Sequence, residues 1–554
     1  MKAALATTLA TCLATVALAA GLGQADGSGT TLAFENVTTR AIDRGADSDY
    51  RFDALWTDFN GDGCPDPFIF AHADQATSRL WLNRCDGSHH FTLADNAQVR
   101  YDIAQPAFPR GSGWLTAIDF NGDGRQDFWT RDAQAWAARY LNATPPGAHL
   151  PHFAGKQRAC NEHCILADIN GDDHLDVIHS DGRIETLATG APLTTRAGGP
   201  GLRLAADLDG DSWSDLLQPA AGGYWRNEHG ALEWRPVPGL RGNTNLMLAA
   251  DLDNDGDFDL FTFSGDDNGG DGRAHLYRND GDGRFSEVTD GSGFDALRFL
   301  PWWTSYGNVI AADFDNDGRQ DLLVAGASRD PSVMLLRNLG GLRFAAAGVD
   351  LGAACHGSEA CKSRAAVADY DNDGRLDIVK TQDGSNVGIW RNVTDTGGNH
   401  WMGVRLRGAG ANSDGLGTDV RWLAPGTGQL LAHMHVAASE QHPQTWLHTG
   451  VGDHPAVDLE VRFPHGGPRY RFDNLASDQQ VVVYADGCMI IGWQPGDGWP
   501  RHLPVSVPAG PPVPREAPRP PPREQTAVGS ARAAEAWPPP EQTICVDPEP
   551  APQP

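Results

Sequence analysis

Seven times along the chain, side-chain oxygens recur at positions 1, 3, 5 and 9 of a nine-residue stretch. The first three sets are Asp58, Asn60, Asp62 and Asp66; Asp119, Asn121, Asp123 and Asp127; and Asp168, Asn170, Asp172 and Asp176. Four all-aspartate sets follow: Asp207, Asp209, Asp211 and Asp215; Asp251, Asp253, Asp255 and Asp259; Asp313, Asp315, Asp317 and Asp321; and Asp369, Asp371, Asp373 and Asp377. Position 6 is glycine in five sets and Asp173 or Ser212 in the other two. Oxygen donors so spaced around a tight turn wrap a hard cation that takes about six to eight oxygens, and calcium accepts several carboxylates where magnesium keeps its waters. Carboxylates packed this closely repel one another, so their regular repetition calls for a counter-ion. The expected cofactor is Ca2+, up to seven ions, one per loop, in a structural role.

The sets start 39 to 62 residues apart, near the period of propeller blades. Apolar runs precede them, as in Leu248-Ala249-Ala250 and Val309-Ile310-Ala311-Ala312, and strand-like runs follow, as in Asp259-Leu260-Phe261 and Asp321-Leu322-Leu323-Val324. Each loop is therefore expected to join two strands of a β-hairpin, which excludes the EF-hand, whose loop lies between helices and ends in Glu at position 12. A second signature follows most loops, clearest in Leu276-Tyr277-Arg278-Asn279-Asp280-Gly281, with Asn83, Asn142, Asn227, Asn338 and Asn392 at the equivalent place. We read this Asn as a turn residue tolerant of positive φ, which gives four strands per unit and an irregular third unit that lacks it. The expected fold is all-β: a seven-bladed β-propeller with cation-binding hairpin loops, then a small β-rich module and a disordered Pro-rich tail. Phe34-Glu35-Asn36-Val37-Thr38 resembles Phe285-Ser286-Glu287-Val288-Thr289, so the N-terminal strand is expected to complete the seventh blade.

The formal net charge of −29 is concentrated in these loops, whose ligand positions hold 25 acidic residues. No basic face offers itself to phosphate, and nucleic-acid binding is excluded. Residues 1–25 read as a secretory leader with an Ala/Leu-rich run and small residues near its end, and no later stretch is long and apolar enough for a membrane helix. The domains expected are this leader, a propeller over 26–396, a β-module over 397–494 and a Pro-rich tail over 495–554. Eight cysteines remain beyond the leader, an even number that suits an oxidising compartment. Nearest-neighbour pairing joins Cys64 with Cys85, Cys160 with Cys164, Cys355 with Cys361 and Cys488 with Cys545, one of about 105 connectivities eight cysteines permit.

The repeated loops resemble the FG-GAP or VCBS repeats of integrin α-chain propellers and of secreted bacterial proteins. Residues 399–484 resemble the ASPIC/UnbV module that follows such repeats in the cartilage acidic protein 1 family, through Asn399-His400-Trp401, Asn412-Ser413-Asp414-Gly415-Leu416-Gly417, Leu447-His448-Thr449-Gly450-Val451-Gly452 and the run from Val457 to Gly466. Thr418, Phe463 and His465 depart from the family's usual residues.

Other candidates compete for a functional role. His433, His435, His442 and His448 cluster in the module, and a His-x-His pair on a strand can hold zinc or copper, but we read these as polar residues on the outer face of a sheet. No catalytic constellation occurs: G-x-S-x-G, H-E-x-x-H and P-loop motifs are missing from the sequence. Residues just ahead of the innermost strands are expected to line the channel mouth opposite the loops, and Trp114, Arg203, Trp302, Trp303, Tyr306 and Arg364 are the ligand-binding candidates there. The expected function is a secreted, periplasmic or cell-surface calcium-binding module for an extracellular glycan or protein ligand. The alternatives are a polysaccharide-acting enzyme using the channel mouth, or a structural cell-surface component.

Overall fold

The computed structural model describes residues 30–42, 51–71, 79–94, 100–101, 115–131, 137–145, 148–158, 164–179, 181–187, 189, 191–193, 195, 197–198, 201–242, 247–264, 271–294, 307–325, 333–351, 363–382, 385–439, 446–493 and 543–549. Among them seven sheets precede residue 393, antiparallel except where Arg100–Tyr101 pairs parallel with His152–Arg158, in a β-propeller in which each acidic loop joins the two innermost strands of its sheet. Blade 6 is representative: Asn308–Ala312, loop, Asp321–Ala325, Val333–Asn338 and Phe344–Ala346. In every blade the position-9 aspartate is the first residue of the second strand.

Inner strands are covered on both faces by neighbouring blades, so they are continuously buried and mostly apolar rather than alternating. Asn308–Ala312, Asp321–Ala325 and Asp259–Ser264 are buried along their whole length, while the outer strand Ala231–Pro236 alternates half-buried and exposed residues. The apolar clusters straddle blade boundaries: one holds Phe261 with Leu322 and Phe344, another Leu323 with Ile378 and Trp390, and a third Leu55 and Phe68 with Val379 and Ile389.

The last of these clusters spans the ring closure. Phe34–Asn36 pairs antiparallel with Ser385–Asn392 in the register Phe34 with Asn392 and Asn36 with Trp390, as the sequence similarity predicts. Val393 N–H donates to Ala33 O at 2.9 Å and Val37 N–H to Ile389 O at 3.0 Å, and Ile42 then bridges to Phe91 in blade 1. The third sheet has only Cys164–Ala167, Asp176–His179 and Ile184–Thr186 among the described residues, which accords with its missing Asn.

Beyond residue 399 two further sheets pack face to face. One is ordered Trp446–Gly452, His400–Arg407, Gln479–Tyr484, Cys488–Trp493, Thr543–Cys545; the other Leu430–His435, Asp419–Leu423, Ala456–Arg462, Arg469–Ala476. Met402, Val404, Trp422, Leu459 and Val481 fill the space between them, in one cluster with Ile118, Trp129, Ile165 and Leu216 of blades 2 to 4. Thr543–Cys545 is a correction to the expected tail: the Cys488–Cys545 disulfide brings this segment back as the edge strand of a sheet.

This C-terminal module lies across the end of the propeller that carries the acidic loops. Its Ala438–Ser439 segment pairs with Leu204–Ala206, the innermost strand of blade 4, and so reaches into the central channel. A partly open cavity of about 140 Å³ lies there, lined by Leu55, Met247, Asn308 and Ala365 of the propeller and by Met434 and Trp446 of the module.

Candidate metal centres

Each loop is wound around its first carboxylate. Asp313 Oδ1 accepts from Asp317 N–H at 3.2 Å and Oδ2 from Gly318 N–H at 2.7 Å; Asp119 does the same with Asp123 and Gly124, and Asp58 with Asp62 and Gly63. The position-5 carboxylate accepts the N–H two residues on, as Asp317 does from Arg319 at 3.0 Å. This winding needs left-handed backbone at two places. Position 6 has φ of 86° at Gly318, 61° at Asp173 and 73° at Ser212. Position 4 is also left-handed, which the sequence reading missed although the signal was present: it is Gly61, Gly122, Gly171, Gly210, Asn254, Asn316 or Asn372, the residue types that adopt this conformation most readily.

The position-9 carboxylates face the turn from the second strand. Asp321 Oδ1 accepts from Asn338 N–H at 2.7 Å and Oδ2 from Phe314 N–H at 3.3 Å. The signature Asn is therefore not the positive-φ turn residue that its neighbours implied, a correction to the sequence reading. Asn83, Asn142, Asn227, Asn279, Asn338 and Asn392 all lie outside the left-handed region and are buried. Their side chains bond adjacent blades: Asn338 Nδ2 donates to Leu252 O at 2.8 Å, Asn392 Nδ2 to Phe314 O at 2.9 Å, and Asn83 Nδ2 to Tyr370 O at 3.0 Å across the ring closure. The Arg before this Asn also has a role that the sequence reading did not assign. Arg337 Nη2 meets Asp315 Oδ2 at 2.6 Å and Arg391 Nε meets Asp371 Oδ2 at 2.5 Å, and Arg226 pairs with Asp209. Where position 3 is Asn60 or Asn121, the residue before the signature Asn is Leu82 or Leu141, so the exchange was readable in the chain.

The oxygens converge. One carboxylate oxygen each from Asp207, Asp209 and Asp215 lies within 4.8 Å of the others, as for Asp251, Asp253 and Asp255, and for Asp313, Asp315 and Asp321. Burial raises the pKa of Asp58 to about 7, with the neighbouring Asp62 adding to the effect, and raises that of Asp127 and Asp259 to about 8. Asp313, Asp321, Asp369 and Asp377 are pushed well above the usual range by burial and then by their fellow carboxylates. Asp66 Oδ2, Asp176 Oδ1, Asp253 Oδ1, Asp315 Oδ1 and Asp371 Oδ1 are buried with no hydrogen-bond donor. Buried, mutually repelling, donor-poor carboxylates fit a hard divalent cation, which would satisfy these oxygens and remove the repulsion.

The other expected site residues fare differently. Trp114, Trp302, Trp303 and Tyr306 lie outside the described residues, as do Cys160, Cys355, Cys361 and His442. Arg203 is half-buried and its N–H donates to Leu217 O at 3.1 Å. Arg364 is a correction: it is 1% exposed and pairs with buried Asp53 of blade 1 at 3.3 Å, a bond between blades rather than a rim group. Cys64–Cys85 and Cys488–Cys545 are disulfides, and Cys164 is also disulfide-bonded.

His433, His435 and His448 are not on an outer face, and this expectation is corrected for them. His433 is buried against Phe258, with its ring 3.8 Å from Asp251 Oδ2, and His435 Nδ1 lies 2.8 Å from Asp419 Oδ1. His448 stacks on Trp401, and burial lowers its pKa to about 4. These rings sit between the module's sheets and the loops because the sheet face presented to the propeller must meet buried carboxylates.

A family model for the FG-GAP-like repeat matches residues 58–130, 251–324 and 313–380, so the chain carries FG-GAP-like repeats at these places. None of the curated proteins compared with the chain matches it. Among solved structures, similarity extends to a lectin of Agrocybe aegerita described for specific recognition of non-reducing terminal N-acetylglucosamine, at 17% identity over 64% of this chain and 85% of that one, TM-score 0.29. Two others are BBS1N in complex with ARL6DN, at 11% identity over 65% and 96% with TM-score 0.38, and the Dos1 propeller, at 7% identity over 61% and 78% with TM-score 0.33.

Proposed function

We propose that the chain is a secreted, calcium-binding seven-bladed β-propeller of the FG-GAP/VCBS kind, capped by an ASPIC/UnbV-like module as in the cartilage acidic protein 1 family, and that it binds an extracellular glycan or protein rather than catalysing a reaction. The observation that carries the calcium reading is the set of buried carboxylate oxygens without donors, on Asp66, Asp176, Asp253, Asp315 and Asp371, each in a different loop, with Asp253 and Asp315 lying in clusters of converging carboxylates. The ion would be held by positions 1, 3, 5 and 9 of each loop, and it supplies charge neutralisation and stiffness. The chain's own residues preset the cage: left-handed positions 4 and 6 fold the turn, and the signature Asn and position-9 Asp lock it to the neighbouring blade. Secretion is supported by the disulfides, which persist in oxidising compartments. Among the described residues no helix is long and apolar enough to cross a membrane.

The loop end of the channel is covered by the module, so the ligand surface is assigned to the opposite mouth, where Arg203 precedes its innermost strand. Native mass spectrometry of the full chain should count up to seven calcium ions that leave with a chelator; a chain that retains none from millimolar calcium refutes the metal reading. A glycan array run in calcium beside a polysaccharide-hydrolase screen tests the rest. Binding without turnover is the expected result, and turnover of any glycan would replace the binding reading with the enzymatic one.

A further inference from the structure

We infer that the C-terminal module is a lid latched by the cations of the loops, so that ion occupancy and docking are a single linked equilibrium; this rests on the cation reading given above. The module reaches all seven loops, and its contacts fall on the residues that a bound ion would hold still. Position 1 is met by Gly450 N–H on Asp313 at 3.0 Å, Ser413 Oγ on Asp119 at 2.5 Å, His465 beside Asp168 at 3.5 Å and His433 beside Asp251 at 3.8 Å. The left-handed positions 4 and 6 are met by Gly452 N–H on Asn316 O at 3.2 Å, Ala411 N–H on Asp173 O at 3.1 Å and His465 N–H on Ser212 O at 2.8 Å. Arg405 Nη2 donates to Gly63 O at 3.0 Å, and Gln480 reaches Asn372 Oδ1 at 3.1 Å.

The physical link is direct. An ion draws positions 1, 3, 5 and 9 together and thereby fixes the backbone of positions 4 to 6. Without it, buried like charges spread apart and carry the same backbone groups away from the module. The linkage is reciprocal, because the module donates to position-1 carboxylates that an ion would share, Asp119 and Asp313 among them, so a docked module holds the cage in the shape the ion needs.

The lid is not held equally on all sides. Its apolar core runs into blades 2 to 4 in one cluster, whereas among the described residues the clusters between blades 5, 6 and 7 contain no module side chain. The seat over loops 6 and 7 lacks that continuous apolar core and rests on hydrogen bonds to the loops beside the Trp401–His448 stack, so it opens first, with blades 2 to 4 as the hinge.

Hydrogen exchange of the full chain, with ions counted in parallel by native mass spectrometry, tests this. On calcium removal the Gly450 and Gly452 amides should lose protection at least tenfold, Ala411 and His465 should lose less, and Leu322 and Leu323 inside blade 6 should keep theirs. Ions that leave with every amide unchanged overturn the latch, as does simultaneous loss at Gly450 and Leu322, which is global unfolding. A chain with no ions to remove sinks both the cation reading and this one. Gly450→Ala is an independent probe, since a Cβ there would lie 2.1 Å from the backbone of Asn316 while every loop carboxylate keeps its identity. It should reproduce the tenfold loss at Gly452 in saturating calcium and speed ion release; unchanged protection in a folded variant overturns the latch, and a variant that does not fold leaves the wild-type exchange to decide.

Discussion

Ser212 holds a left-handed backbone, φ 73°, with a buried hydroxyl that has no partner. An L-residue in that conformation costs about 1–2 kcal/mol relative to glycine, so Ser212→Gly should stabilise the protein by about 1 kcal/mol, read as a higher denaturant midpoint at unchanged slope. The opposite outcome is expected for Asn338→Ala. Its amide serves Leu252 O, Gln320 O and Gly340 N–H, and leaving these groups unpaired in the interior should cost about 3 kcal/mol. The carboxylates set an unusual pH dependence. In the ion-free protein Asp58 and Asp251 are raised to about 7 and Asp127 and Asp259 to about 8, all chiefly by burial, against about 3.9 in an unfolded chain. The folded state then binds more protons than the unfolded one, so ion-free stability is full near pH 4 and is lost as pH rises through 7 to 8. Melting curves of desalted protein should shift down from pH 5 to pH 8, and saturating calcium should abolish that slope; a desalted protein that melts higher at pH 8 would contradict the assignment.

At the scale of elements, the strand Phe34–Asn36 completes blade 7 and covers an edge that would otherwise offer unpaired backbone groups to another molecule. Deleting residues 26–40 should give a protein that aggregates or is cut readily by protease, and unchanged melting and solubility would refute its closing role. Much of this layer was legible in the chain. The hairpins were readable because Asp-rich turns punctuate apolar runs, and closure because Phe34–Thr38 repeats the pattern of Phe285–Thr289. The Asn cross-links were misread, since a turn residue and a blade-to-blade bridge leave the same letter beside Gly, and only the neighbouring blade distinguishes them. Burial of His433 and Arg364 was hidden for the same reason: a polar residue on a strand reads as exposed until the surface opposite it is known.

For the whole molecule, 25 acidic residues occupy the proposed ligand positions of the loops that face the C-terminal module, and on that proposal ion withdrawal should loosen the assembly as a unit. Binding to the native state alone adds RT ln(1 + [L]/Kd) per site, so calcorimetric melting in millimolar calcium and in chelator should differ clearly, and coincident midpoints would remove the structural role of the ion. The closing of the ring also places a clock on the molecule. Thr38 meets Ile389 across 351 residues, so the first blade strand to be made waits for nearly the last. At a synthesis rate of about 5–20 residues per second that wait is roughly 20–70 s, during which the unpaired edge must be kept from a neighbouring chain.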